Sequence, residues 1–153
     1  METIKIPDRL NYSQKAHDVI EHIDSENYMG LGGNKLTRSE LFLFAMSLGI
    51  ESRHKTPLSN VYTGGLVLDK SIDSKTRAGM LAQYVDELND PSDQLDAIAD
   101  TGNVYKNAEQ YANTGFEILA DYLENKKPFD LALEMFMELD EAYRLVNVTN
   151  IRL

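Results

Sequence analysis

The residues best suited to chemistry lie in Arg53-His-Lys-Thr-Pro57, where a guanidinium, an imidazole, an ammonium and a hydroxyl fall on consecutive positions ahead of a proline. Arg53 and Lys55 offer charged donors, Thr56 adds a hydroxyl and Pro57 restricts the loop, a combination that suits phosphate or an acidic protein surface. Arg53, Lys55 and Thr56 are therefore the candidate interaction or anion-binding residues. His17 and His22 are five apart, not the four that would bring two zinc ligands onto one helical face, and no His-Glu-x-x-His run occurs. Carboxylates recur at helical spacing in Asp86 and Asp90, in Asp96 and Asp100, and in Glu134, Glu138 and Glu141, which reads as solvated acidic faces. Gly30-x-Gly32-Gly33 lies between helical segments and lacks the Lys-Ser/Thr end of a phosphate loop, so nucleotide binding is not expected. No catalytic residue, cofactor or metal is expected.

These side chains need a scaffold, and composition limits what it can be. At 153 residues the chain fits one domain, expected to span 1–153, with 1–34 a looser N-terminal arm and helix. Cysteine is absent, which removes disulfides and every thiolate site. The N-terminus lacks a secretory apolar run, and no apolar stretch approaches the roughly 20 residues that span a bilayer. A cytoplasmic location without membrane contact is expected. The formal net charge of -10 repels a phosphate backbone, so direct DNA contact is disfavoured unless basic residues gather on one face. They are concentrated between Lys35 and Arg77, whereas acidic residues crowd 86–100 and 134–141.

Periodicity predicts a mainly α, single compact domain of about five or six helices, with a short N-terminal strand at Thr3–Ile6 and a small hairpin within 50–68. Tyr12, Ala16, Val19, Ile20 and Ile23 form one helical stripe, with Asn11 or Ser13 as its N-cap. Thr37 followed by Glu40 is a capping-box pattern that opens a broad apolar helix through Leu41, Phe42, Phe44, Ala45 and Leu48, with Gly49 as its expected stop. That breadth places the helix either at the centre of the core or under a second subunit. Further helices are expected over 74–88, through Leu95–Ala99, over 104–123 and over 131–146, and the last residues can pair with the N-terminal strand. Gly115, inside the helix expected over 104–123, implies close helix contact or a short break.

Three features in this order, Lys35-Leu-Thr-Arg-Ser-Glu-Leu-Phe-Leu-Phe-Ala-Met-Ser-Leu-Gly49, Arg53-x-Lys55-Thr-Pro-Leu58 and Glu109-Gln-Tyr-Ala-Asn-Thr-Gly-Phe-Glu-Ile-Leu119, resemble the small accessory proteins encoded with DNA phosphorothioation (Dnd-type) and related phage-defence systems. The resemblance covers roughly positions 35–123, and Thr114 departs from the family-like Tyr-Ala-Asn-Gly-Gly run. It implies a noncatalytic interaction or regulatory subunit whose partners are proteins of a DNA-modification or restriction complex. Tyr111, Asn113 and Gly115 are then the candidate helix-contact residues. A homodimer is expected through the Leu41–Leu48 face or the final helix. Two alternatives stand beside this reading. Ile4-x-Ile6-Pro7 followed by Leu36–Leu41 also resembles ribbon-helix-helix proteins, which suggests a dimeric DNA-binding regulator. The acidic sets would instead serve a metal-dependent hydrolase or nuclease.

Overall fold

The structure, a computed structural model, describes residues 7–26, 37–88 and 100–125, together with the single positions Asp96, Met137 and Glu141. Among the described residues there are four α-helices and one small antiparallel sheet: β1 (Arg9–Leu10), α1 (Gln14–Glu26), α2 (Arg38–Ser52), β2 (Val67–Leu68), α3 (Ser74–Glu87) and α4 (Thr101–Asn125). A 3-10 turn, Asp69–Ser71, joins β2 to the approach to α3. The protein is mainly helical as expected, with four helices in the described part. The expected strand at Thr3–Ile6, the helices through 95–99 and 131–146, and the C-terminal pairing lie wholly or largely outside the described residues.

Each helix start has a chemical cause. Ser13 caps α1 by accepting from the Ala16 amide at 3.1 Å. Thr37 and Glu40 form the reciprocal capping box of α2, at 3.1 and 2.8 Å. Asp73 caps α3 through the Thr76 amide at 2.7 Å, and the bonds it receives there hold its carboxyl below the usual range. Asp100 precedes α4 and accepts from both the amide and the side chain of Asn103.

α2 lies at the centre of the core and packs most extensively on α4. Leu41, Phe42, Ala45, Met46 and Leu48 are buried with Ala108, Tyr111, Ala112, Phe116 and Leu119 of α4, while Ile20 and Ile23 of α1 and Met80 of α3 close the same cluster. Complete burial of a side chain such as Phe42 or Phe116 contributes about 1.5–3 kcal/mol. Much of the α2 apolar face is thus covered within the chain, by α4 above all, while Leu43 and Phe44 stay half-buried at its margin.

The two helices cross antiparallel at backbone contact. A Cβ placed on Gly115 would enter the carbonyl group of Ala45, and one placed on Gly49 would enter that of Tyr111. Gly49 is therefore not the end of α2, which continues to Ser52 and closes on Arg53 in the left-handed conformation, φ 58°. Of the two roles open to Gly115, close contact is the one it takes.

The N-terminal strap and the segment after α2 form the other side of the molecule. Gln14 N to Asn60 O, Tyr62 N to Tyr12 O, Leu66 N to Leu10 O and Asp69 N to Asp8 O make a ladder at 2.8–2.9 Å. The register slips by three residues between the Ser13–Val61 and Leu10–Val67 pairings. Residues 63–65 absorb the slip, and Gly64 and Gly65 permit it with φ of 116° and 72°. The hairpin expected within 50–68 is replaced by pairing with residues more than forty positions earlier.

Candidate functional site

One stretch of α4, residues 105–115, organises the polar chemistry of the described chain. Asn113 donates to the carbonyls of Thr56 and Pro57 at 3.2 and 3.4 Å, and its own carbonyl oxygen accepts from Ser13 Oγ at 3.0 Å. Thr56 is fixed twice more, by its amide on the Gln110 carbonyl at 3.1 Å and by its hydroxyl against that of Thr114 at 2.8 Å. One turn earlier, the Glu109 carboxylate accepts from the Asn11 amide at 2.9 Å. Burial pushes the Glu109 carboxyl up to about 7, against the opposing effect of the Asn11 bonds.

Lys55 joins the loop to α3 and α4. Its ammonium donates to Glu87 Oε2 at 2.9 Å and to Asn107 Oδ1 at 3.2 Å, and lies 5.6 Å from the centre of the Tyr111 ring. Tyr111 donates to the other Glu87 oxygen, which also accepts from Gln83 at 3.2 Å. Burial works to raise the Glu87 carboxyl, but the bonds from Tyr111, Lys55 and Gln83 outweigh it and hold it below the usual range. Asn107 is 7% exposed and its Nδ2 has no hydrogen-bond partner.

Two further clusters brace the same framework. Tyr105 donates to Asp69, which also pairs with Arg77 at 3.2 Å, and burial followed by that bond pushes the Tyr105 hydroxyl up to about 12. His17 stacks on Tyr62 at 3.8 Å and shares a 2.6 Å hydrogen bond with Tyr12, fastening α1 to the strap and the loop. An open cavity of about 250 Å³ between α1 and α4 is lined by Lys15, Val19, His22, Ala120 and Leu123. A smaller one of about 120 Å³, between α3 and α4, is bordered by Arg77, Met80, Thr101 and Tyr105.

The two residue sets singled out in the sequence therefore meet. Lys55 faces Tyr111 and Thr56 faces Asn113, while Gly115 sits on the opposite side of α4 against α2. Lys55 and Thr56 turn their polar atoms toward α4, whereas Arg53 and His54 are exposed at the corner where α2 ends. Sequence reasoning missed Glu87 and Asn107, and saw Asn11 and Ser13 only as helix caps, not as partners of Glu109 and Asn113. Asn107, Gln110, Asn113 and Thr114 recur at three- and four-residue spacing between the apolar positions of an amphipathic helix, and that second, polar stripe is the signal that would have found the anchoring face.

Among the described residues no group of three or more His, Asp or Glu is arranged to hold a metal ion. The acidic sets containing Asp90, Glu134 and Glu138 lie partly outside those residues. No helix among the described residues is long and apolar enough to cross a membrane. The chain matches no protein-family model, no curated protein and no solved structure.

Proposed function

We propose that this chain is a noncatalytic interaction or regulatory subunit working beside DNA-modification and phage-defence machinery, and that residues 53–65 form its contact surface. One observation carries the reading. This segment is exposed along most of its length and contains neither helix nor strand, yet it is pinned at Lys55, Thr56, Pro57, Asn60 and Tyr62. A loop fixed before it meets a partner loses less conformational entropy on binding. Arg53 adds to this support, because an arginine occupies a left-handed position that glycine adopts without strain, with its side chain in solvent. The defence setting rests on the resemblance of residues 35–123. Self-association through the Leu41–Leu48 face or the final helix remains part of the proposal; on the first, Leu43 and Phe44 are only half-buried within the chain.

An affinity pull-down from native cells at low salt, run with and without nuclease, tests this. DNA-modification or restriction subunits retained after nuclease treatment are the expected result. Partners lost on treatment would instead favour the DNA-binding regulator.

A further inference from the structure

The surface of the 53–65 segment differs in charge from the rest of the chain. No Asp or Glu occurs from Ser52 to Leu68, in a protein that carries twenty-five acids among 153 residues. Among the described residues no carboxylate pairs with Arg53, while the neighbouring Lys55 is already matched with Glu87. The exposed guanidinium of Arg53 is therefore unpaired among the described residues, with Glu51 the nearest acid in sequence, on a molecule whose net charge of -10 repels acidic partners elsewhere.

The backbone supplies a second observation. Ser13 and Val61 face each other in an antiparallel bridge whose flanking bonds run from Gln14 N to Asn60 O and from Tyr62 N to Tyr12 O. In such a pair the bridged residue turns its own N–H and C=O toward the opposite edge. No described backbone group bonds to either of these groups on Val61, and the residue is 52% exposed. An open edge with a matched backbone around it accepts an added strand. Arg53 and Val61 are eight residues apart, so at most roughly 28 Å separates them, a span that eight or nine extended residues of a partner can cover.

We infer that residues 53–65 receive an extended acidic segment of a partner protein, its main chain pairing with Val61 and its carboxylates meeting Arg53. This rests on the interaction reading above and adds the chemistry of the partner. A double-stranded DNA partner fits less well, because a duplex offers no strand-forming backbone to Val61 and meets the acidic remainder of the chain.

The test uses the full chain and a fluorescein-labelled peptide of about ten residues alternating glutamate and valine, followed by anisotropy at low salt. Three further probes are a lysine–valine peptide, the glutamate–valine peptide N-methylated at alternate residues, and a short DNA duplex. Arg53→Glu and Val61→Glu change exposed side chains, and circular dichroism checks that both variants fold. Binding of the glutamate–valine peptide alone, weakened about tenfold by each variant, is the expected result. Binding that both variants leave unchanged, binding of the duplex without the peptide, or no peptide binding at all would each overturn the inference. Repeating the native pull-down with the two variants separates the levels: partners recovered by wild type and both variants leave the interaction reading standing without this site. No partner with wild type removes that reading itself.

Discussion

Residues 105–115 of α4 hold two neighbours by opposite means. Toward α2 the contact is backbone on backbone, with Gly115 against Ala45 and Gly49 against Tyr111, and no side chain can be added at either glycine. Toward the strap and the 53–65 segment, α4 reaches out with Glu109 and Asn113 and grips main-chain atoms of Asn11, Thr56 and Pro57. The two contacts constrain the sequence differently. The α2 crossing fixes residue types on both helices, whereas the loop is held largely by its backbone, which leaves its outward side chains such as Arg53 and His54 in solvent.

Gly115→Ala should have the largest effect. Its methyl group must displace α2 backbone rather than a flexible side chain, so urea denaturation should show a loss of about 3 kcal/mol or more, or no cooperative transition. Gly102→Ala is the control: nothing lies within 4 Å of the added Cβ, and in the first turn of α4 the change should be neutral or stabilising by up to about 1 kcal/mol. Equal effects of the two substitutions would mean that the crossing is not as close as described.

Asn113→Ala comes next, at about 2–3 kcal/mol, because it strips the partner from the Ser13 hydroxyl and from two loop carbonyls. Amide hydrogen exchange sharpens the prediction: protection should fall at Gln14, Thr56 and Tyr62, while the α2 amides at Ala45 and Met46 stay slow. Uniform loss of protection would merge the two regions into one cooperative unit.

Glu109 gives the loop side a pH dependence that the α2 crossing lacks. Its carboxyl is raised by burial from 4.5 to about 7, so between these values the folded chain binds more protons than the unfolded one. Stability is accordingly greatest at and below about pH 4.5 with respect to this group, and it declines as pH rises toward and past 7. The full penalty is on the order of 3 kcal/mol. Glu109→Gln keeps an acceptor for Asn11 and removes the ionisation, so the variant should gain roughly that amount at pH 8, with little gain near pH 4.5, in parallel urea titrations.

Arg53→Gly has the smallest effect on stability. Relief of the left-handed arginine should raise the melting midpoint by the equivalent of about 0.5–1 kcal/mol. The same variant should weaken capture of the acidic peptide, so stability and binding move in opposite directions. A change in the same direction would place Arg53 in the scaffold.

Much of the helical scaffold was legible because its signals are local. The Thr37–Glu40 box, the Ser13 cap and the stripe from Ala16 to Ile23 are each set by neighbours within a few turns. Gly49 misled for a physical reason: a glycine after an apolar run serves equally as a helix stop or as a point of backbone contact, and only the position of α4 decides. The strap and loop pairing was illegible because two-residue strands carry no alternation, and their partners lie more than forty positions apart. The basic loop was readable as a candidate from composition. That Lys55 and Thr56 turn inward while Arg53 turns outward depends on Glu87 and Asn113, which no local pattern connects to them.

The crossing of α2 and α4 also sets a schedule for making the protein. Gly49 meets Tyr111, and Ala45 meets Gly115, across more than sixty intervening residues. At about 5–20 residues per second on the ribosome, α2 waits roughly 3–13 s before its partner has been synthesised. Phe42, Met46 and Leu48 are without that cover throughout the interval. A premature stop anywhere before α4 would therefore release a chain in which α2, the most apolar of the described helices, lacks its main covering partner, which makes truncated products of this gene candidates for aggregation and chaperone capture.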